Sequence, residues 1–221
     1  MKIRTMLNPF YARTLQRRAL ILGIVSVLSL GLGLGSQNLY AQPYPSKPIK
    51  LIIPFNAGGA LDIVGRLLAS ELSKQFNQNV IVENKAGAGG NIAASFVAKS
   101  DPDGYTLLMG STGNSVNKAL YGNLNYDPDT ELTPVAIVGQ MPNVLLAHNS
   151  VAATTIKDLI ALSKTNPASL NFASGGSGTS EHLAAALFNL KAGTTIPHIP
   201  YKGGAPAATD LMSGQVQLMF T

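Results

Sequence analysis

Short apolar runs alternate with amphipathic stretches from residue 49 onward. Apolar, β-branched runs predict strands at 49–55, 80–82, 105–109, 135–138, 144–147, 170–173, 196–201 and 216–220. Apolar residues three or four apart predict helices at 61–76, 92–99, 155–165, 180–190 and 206–213. Strands separated by helices predict βαβ units and a mostly parallel sheet. The two successive strands within 135–147 predict a crossover into a second domain.

The first 41 residues follow a different pattern. Residues 1–18 are basic and contain no acid, residues 19–34 are uncharged and almost wholly apolar, and a short stretch then ends at Ala41. This order is typical of a secretory signal peptide, whereas a membrane anchor needs about 20 apolar residues. We therefore predict a signal peptide at 1–41 and export to the periplasm. The rest divides into a first α/β lobe at 42–139 and a second at 140–221.

The excess positive charge belongs to the first segment. The chain has 16 basic and 11 acidic residues, and five of the basic ones precede residue 42, which leaves 11 of each sign. Balanced charge and 6% aromatic residues argue against a nucleic-acid partner. The chain has no cysteine, which excludes disulfides, thiolate metal sites and thiol nucleophiles. The three histidines lack metal-site spacing, so we predict no metal.

Five loops rich in glycine or hydroxyl residues follow predicted strands. They lie at 56–60, 85–90, 110–115, 174–180 and 202–205. Loops at the carboxyl ends of parallel strands line the ligand crevice, and each of these runs into a predicted helix start, where free N–H groups favour an anion. One such loop alone would be an ordinary strand–helix turn. We interpret the five together as a binding site that holds a carboxylate without arginine, because only Arg66 follows residue 41.

These loops match no cofactor or nucleophile fingerprint. The stretch 87–92 lacks the third glycine of a dinucleotide loop and no P-loop is present, so we predict no cofactor. Thr179 stands where a nucleophile elbow around Ser177 needs glycine. His182 either points into the crevice or caps its turn. His148 and His198 flank predicted strands and are interpreted as structural.

Two charged residues, Asp62 and Lys202, each have two possible roles. Asp62 lies in the first turn of a predicted helix, where an acid suits the helix dipole. It either caps the helix or pairs with a ligand ammonium group. Lys202 either binds a carboxylate or is solvated.

Several motifs, taken together, resemble one family. They are PFNAGGALD at 54–62 with Arg66, VENKAGAGGNI at 82–92, DPDGYTLL at 101–108, GSGTSEHL at 176–183, PYKGGAPA at 200–207 and DLMSG at 210–214. From about residue 44 to residue 221 the chain resembles the tripartite tricarboxylate transporter substrate-binding proteins, also called Bug proteins. The resemblance implies an α/β, periplasmic-binding-protein-like (type 2) two-domain clamshell. Family members run further, and the apolar run at 216–220 has no polar tail after it, so we expect a C-terminally truncated clamshell.

The resemblance also implies the ligand and its contacts. The ligand class is a small organic carboxylate: a di- or tricarboxylate, an acidic amino acid or an aromatic carboxylate. By matched position the ligand-binding residues are Phe55, Ala57, Gly58, Gly59, Ser111, Thr112, Ser177, Thr179, His182, Lys202, Gly203, Gly204 and Ala205. Asp62 joins them through its alternative pairing with an ammonium group. Asn56 and Leu61 depart from the small or hydroxyl residues common at their positions.

Three functions fit this sequence. The first is a monomeric, non-enzymatic binding protein that presents a carboxylate to transporter membrane subunits. The second is an extracytoplasmic carboxylate sensor that signals to a membrane kinase. The third is a secreted hydrolase that uses Ser177 and His182, although no acid is evident to orient the histidine.

Overall fold

The computed structural model describes residues 43–221. The predicted signal peptide and its cleavage site therefore lie outside the described residues. Within them, Tyr44–Thr221 forms one compact unit. No helix in this part of the chain is long and apolar enough to cross a membrane.

The described part of the chain contains seven strands and six α-helices. The strands are β1 (Ile49–Ile53), β2 (Val80–Asn84), β3 (Thr106–Leu108), β4 (Leu145–Ala147), β5 (Phe172–Ser174), β6 (His198–Pro200) and β7 (Leu218–Phe220). The helices are α1 (Ala60–Phe76), α2 (Asn91–Ala98), α3 (Gly113–Tyr121), α4 (Ile156–Thr165), α5 (Ser180–Ala192) and α6 (Gly204–Ser213). Short 3₁₀ helices lie at Ala88–Gly90 and Pro167–Ser169. The α/β class predicted from the alternating pattern is confirmed.

The first sheet has the order β2-β1-β3, and all its strands are parallel. β1 is central, and Leu51 and Ile53 are buried against Ala69 of α1 and Met109. Gly65 allows α1 to lie close to this strand, because a side chain at residue 65 would collide with Ile53. Since the strands are parallel, their carboxyl ends share one edge, where the loops before α1, α2 and α3 begin.

The second sheet has the order β4-β7-β5-β6. β5 is parallel to β6 and β7, whereas β4 is antiparallel to β7. The core of the second sheet contains Phe172, which is fully buried. Its ring packs against those of Phe188 in α5 and Phe220 in β7, with ring centroids 5.6 Å apart in both pairs. The carboxyl ends of β5 and β6 lead into the loops before α5 and α6.

The predicted strand at 135–138 is wrong. These residues have no regular secondary structure, and Val135 and Ile137 are 84% and 82% exposed. A β-branched run forms a strand only when another strand pairs with it, and no strand among residues 43–221 pairs with this one. The helix α3 was not among the predicted helices, because its apolar positions are few. The lobe boundary between residues 139 and 140 stays a prediction, although each sheet is built from one side of it.

Candidate functional site

The five glycine- and hydroxyl-rich loops meet at the carboxyl ends of the parallel strands of the two sheets. The Asn56 N–H donates a hydrogen bond of 3.1 Å to the Lys202 carbonyl, which joins the β1–α1 loop to the β6–α6 loop. The Tyr121 hydroxyl of α3 donates one of 3.1 Å to the Ser177 carbonyl in the β5–α5 loop. The β2–α2 loop enters the same place, because its Gly89 packs against Ser177. The parallel edges of both sheets therefore supply one cluster of loops.

Two glycines make this close approach feasible. Gly203 has φ +132°, and a Cβ there would lie 3.1 Å from the Asn56 nitrogen. Gly89 has φ +61°, and a Cβ there would collide with the Ser177 carbonyl oxygen. Both positions combine a left-handed backbone with a contact between the two sheets' loops, so side chains would push the loops apart.

Helix starts surround this cluster. The N-cap residues of α1, α3 and α6 are Gly59, Thr112 and Gly203, and no side-chain hydrogen bond caps these three helices. The starts of α1 and α6 are close neighbours, since a Cβ on Gly59 would lie 3.8 Å from the Gly204 nitrogen and 3.9 Å from the Ala205 nitrogen. Uncapped helix N-termini carry partial positive charge and free donors. The arrangement suits an anionic group.

Asp62 is an anchor of the β1–α1 loop. Its buried carboxylate accepts hydrogen bonds from Gly58 N–H (2.9 Å), Arg66 Nε (3.0 Å) and Asn84 Nδ2 (2.8 Å). Arg66 is the main cause that lowers the pKa of Asp62 to about 2. Asn84 Nδ2 also donates to the Phe55 carbonyl at 3.0 Å, which fixes the loop to the end of β2. Asp62 therefore anchors the loop before α1, although it does not cap the first N–H groups of the helix, and its pairing with a ligand ammonium group stays a prediction.

His182 caps its own turn. Its Nδ1 accepts the Gly178 N–H at 3.1 Å, and the Thr179 hydroxyl accepts the His182 N–H at 3.4 Å. The His182 ring stacks on the ring of His198, with centroids 4.1 Å apart and planes at 26°. Burial lowers the pKa of both histidines, that of His198 to about 4 with a further contribution from His182. The pair is therefore neutral at ordinary pH.

The serine–histidine contact in this region involves other residues than the predicted pair. His198 Nε2 lies 2.6 Å from the Ser174 hydroxyl, and Ser174 is fully buried at the end of β5. The same hydroxyl accepts the Gly176 N–H at 3.1 Å. Ser174 thus stabilises the β5–α5 loop, and because it is fully buried no substrate reaches it. Within the described chain no hydrogen bond links Ser177 to His182, which gives the hydrolase interpretation no geometric support.

The remaining predicted residues lie in the same loops with different exposure. Gly59, Thr179 and Gly203 are buried; the half-buried ones are Phe55, Ser111, Ser177, His182, Gly204 and Ala205. Ala57, Gly58, Thr112 and Lys202 are exposed. The Lys202 backbone, through its carbonyl, makes the contact described above with Asn56. The structure thus brings all the predicted positions into the loop cluster or its margin.

Sequence reasoning missed the asparagines and the tyrosine that connect these loops. Asn84 and Tyr121 make the contacts given above, and Asn91 and Asn117 form a buried pair beside Gly89. Asn117 is 1% exposed in the middle of a helix. A polar residue at an interior helical position was the only available signal, and it does not reveal its partner.

Comparisons with known proteins agree on one family. Residues 64–221 match the model described as the tripartite tricarboxylate transporter family receptor. The chain is similar to BugT of Bordetella pertussis, with 37% identity over 198 residues that cover 89% of this chain and 60% of BugT. It is also similar to an Agrobacterium vitis protein from the TAR-I ttuE–ttuC′ intergenic region, with 40% identity over 175 residues that cover 79% of this chain and 51% of that protein.

Solved structures show the same fold. Rpa4515 of R. palustris, solved with adipate, matches with a TM-score of 0.77 and 38% identity over 80% of this chain and 60% of that one. MatC of Rhodopseudomonas palustris, solved with bound malate, matches with a TM-score of 0.74 and 34% identity over the same shares. The periplasmic binding protein BugD matches with a TM-score of 0.72 and 35% identity over 80% of this chain and 59% of BugD. The chain thus spans between half and three fifths of the length of these relatives.

Proposed function

The chain belongs to the tripartite tricarboxylate transporter family of receptors, and we propose that it is a periplasmic solute-binding protein that captures a small organic carboxylate and delivers it to the membrane subunits of a transporter. The observation that carries this proposal is the convergence of uncapped helix starts. The starts of α1 and α6, which belong to different sheets, are close neighbours, since a Cβ on Gly59 would lie 3.8 Å from the Gly204 nitrogen. Their free N–H groups offer an anion donors from two sides.

The charges nearby favour backbone recognition over an ion pair. Arg66 is the only arginine among residues 43–221, and it donates to the buried carboxylate of Asp62 at 3.0 Å. Its charge is already compensated, so it is not the partner of a ligand carboxylate. Helix dipoles and N–H groups then supply the complement, with hydroxyls such as that of Ser177 as neutral donors.

The relatives indicate the ligand class. Rpa4515 and MatC were solved with adipate and malate, which are both small dicarboxylates. A dicarboxylate has an anionic group at each end, and the loop cluster contains uncapped helix starts from both sheets that could receive them. We therefore expect this chain to bind a dicarboxylate more tightly than a monocarboxylate of the same length.

The contacts between the loops of the two sheets support a binding protein that does not catalyse a reaction. Asn56 N–H to Lys202 carbonyl and Tyr121 hydroxyl to Ser177 carbonyl join loops that would enclose a ligand and separate to release it. Such reversible enclosure suits delivery to a transporter. A hydroxyl without an adjacent base is a good donor to a carboxylate and a poor nucleophile.

Calorimetric titration tests this proposal directly. The purified chain is titrated with succinate, glutarate, adipate, malate, citrate, glutamate and benzoate. The matched control is succinamide, which keeps the carbon skeleton of succinate and removes both charges. Saturable binding of at least one carboxylate and none of the diamide is the expected result. Absence of binding across the whole panel would refute the carboxylate-receptor proposal.

A further inference from the structure

A ring nitrogen of His182 fixes the β5–α5 loop. The Gly178 N–H donates to His182 Nδ1 at 3.1 Å, so this nitrogen carries a lone pair and no proton. The Thr179 hydroxyl accepts the His182 N–H at 3.4 Å and donates to the Gly176 carbonyl at 2.8 Å, which closes the turn around this contact. A histidine in the first turn of α5 thus holds the loop that carries Ser177.

The strands beneath this helix place one titratable group beside the ring. α5 packs against β5, β6 and β7, and the only titratable residue on these three strands is His198. Its ring stacks on that of His182 with centroids 4.1 Å apart. None of the ion pairs among residues 43–221 includes either histidine. No carboxylate on these strands therefore stabilises a charged form of His182.

The other titratable groups near the loop do not compensate a proton on this ring. On α5 itself Glu181 is the preceding residue, which points to another side of the helix, and Lys191 lies in the last turn. From α3 the Tyr121 hydroxyl reaches the loop at the Ser177 carbonyl, and burial raises the pKa of this tyrosine, so it stays neutral. The protonation state of His182 is thus set mainly by its burial.

A proton on His182 reverses the contact with the loop. Both ring nitrogens of an imidazolium are donors, so Nδ1–H would face the Gly178 N–H. The Gly178 backbone has φ +89° and packs closely on α3, because a Cβ there would collide with Asn117. Burial lowers the pKa of His182 from its ordinary value of 6.5, so the protonated form arises only in acid. The ring is half-buried, and solvent protons reach it in the fold as described.

We propose that His182 is a positioning residue whose neutral ring holds the β5–α5 loop in its binding conformation, so that carboxylate affinity decreases in acid. This inference rests on the proposed carboxylate-binding function and adds a pH dependence to the same site. Only the neutral fraction of the protein then binds, so the affinity falls by about tenfold per pH unit below the pKa of His182. A histidine cation that binds the ligand directly would give the opposite sign, because protonation would then strengthen its hold on a carboxylate.

NMR measures the loop contact in the chain without ligand. The Gly178 amide and the His182 ring signals are followed from pH 7.5 to pH 4.5. In the wild type both are expected to shift with one common midpoint below pH 6.5. In His182→Asn the Gly178 amide signal is expected to stay constant, because asparagine Oδ1 offers an acceptor that does not titrate. A Gly178 amide signal that does not follow the His182 ring in the wild type would overturn the inference.

Calorimetry with malate and with adipate measures the affinity over the same pH range. The ratio of wild-type to His182→Asn affinity for one ligand cancels the titration of the ligand's own carboxyl groups. This ratio is expected to fall by about tenfold per pH unit below the midpoint found by NMR. His182→Ala removes the acceptor, so its affinity is expected to be lower than that of His182→Asn already at pH 7.5.

His148→Asn is the matched control. The His148 ring lies 2.8 Å from the Ser150 hydroxyl and makes no hydrogen bond to the β5–α5 loop. The variant removes one titrating histidine and is expected to keep the pH profile of the wild type.

The failures are distinguishable. A ratio of affinities that stays constant over the pH range would overturn the inference, and so would a ratio that rises in acid, which would indicate a histidine cation in contact with the ligand. If the wild type binds no carboxylate at pH 7.5, the proposed function itself fails, whereas the NMR titration still decides whether His182 positions the loop. That titration uses the wild type, so the inference stays testable where His182→Asn does not fold.

Discussion

Asp62→Asn removes the negative charge on which three donors converge. In the folded chain Gly58 N–H, Arg66 Nε and Asn84 Nδ2 all donate to this carboxylate, which is 3% exposed. An asparagine offers one oxygen and one NH₂ group, so at least one of the three donors meets another donor. We expect the variant to fold with a less stable β1–α1 loop.

The size of the loss follows from the pKa of Asp62. The folded chain lowers this pKa from 3.8 to about 2, with Arg66 as the largest cause. At ~1.4 kcal/mol per pH unit, the difference corresponds to about 2 kcal/mol of folding stability. Because the folded-state pKa is the lower one, this stability is present above pH 3.8 and is lost as the pH falls through about 2.

Urea denaturation at pH 7 and near pH 2.5 measures the effect. At pH 7 the free energy of unfolding is expected to be about 2 kcal/mol lower in Asp62→Asn than in the wild type, and near pH 2.5 this difference is expected to fall to about 1 kcal/mol, because Asp62 is then only partly protonated in the folded chain. Glu71→Gln is the matched control on the same helix, because Glu71 forms an exposed pair with Lys74 at 2.7 Å and such pairs contribute at most about 1 kcal/mol. A loss at pH 7 no larger than that of the control, or a loss that is undiminished at pH 2.5, would refute the reasoning.

Three further predictions concern binding and export. Gly59→Val is expected to fold, because Gly59 has φ −79° and a Cβ there makes only ordinary contacts. The valine side chain is expected to lower carboxylate affinity at least about tenfold, because it covers the N–H groups at the start of α6. Unchanged calorimetric affinity would show that this loop is not part of the site. Ser177→Ala is expected to weaken binding by about 1–3 kcal/mol, as for the loss of a hydrogen bond to a charged group; ester turnover by the wild type that Ser177→Ala abolishes would instead indicate an enzyme. N-terminal sequencing of the exported protein is expected to begin at Gln42 or within a few residues, and an intact Met1 on a membrane-bound product would contradict the predicted signal peptide.

The sequence predicted elements well where burial and period agree. β1 is an apolar run buried on both faces, and α1 follows it with apolar residues at helical spacing, so both were predicted within a few residues. The run at 135–138 has the same composition as a buried strand, but strand formation depends on a pairing partner that local sequence does not encode. The helix α3 was missed because Gly113, Asn114 and Asn117 weaken its apolar period.

The candidate site was predictable in its loops but not in its connections. Glycines after strands and before helices identified where the backbone approaches closely, since that chemistry is local. The partners of Asp62 come from α1 and the end of β2, and the partner of Tyr121 is a carbonyl 56 residues away. Contacts of this kind depend on how the elements pack, so a single sequence left Asp62 with two interpretations and did not reveal the partners of Asn117.

The stretch between the two sheets has a practical consequence. Residues 134–143 have no regular secondary structure, and each sheet has all its strands on one side of this stretch. Its apolar side chains are open to a protease, with Val135 and Ile137 more than four fifths exposed. A single cut here leaves β1–β3 on one fragment and β4–β7 on the other. The stretch is therefore the place to divide the chain into two co-expressed polypeptides whose reassembly would report ligand binding, as in a split reporter.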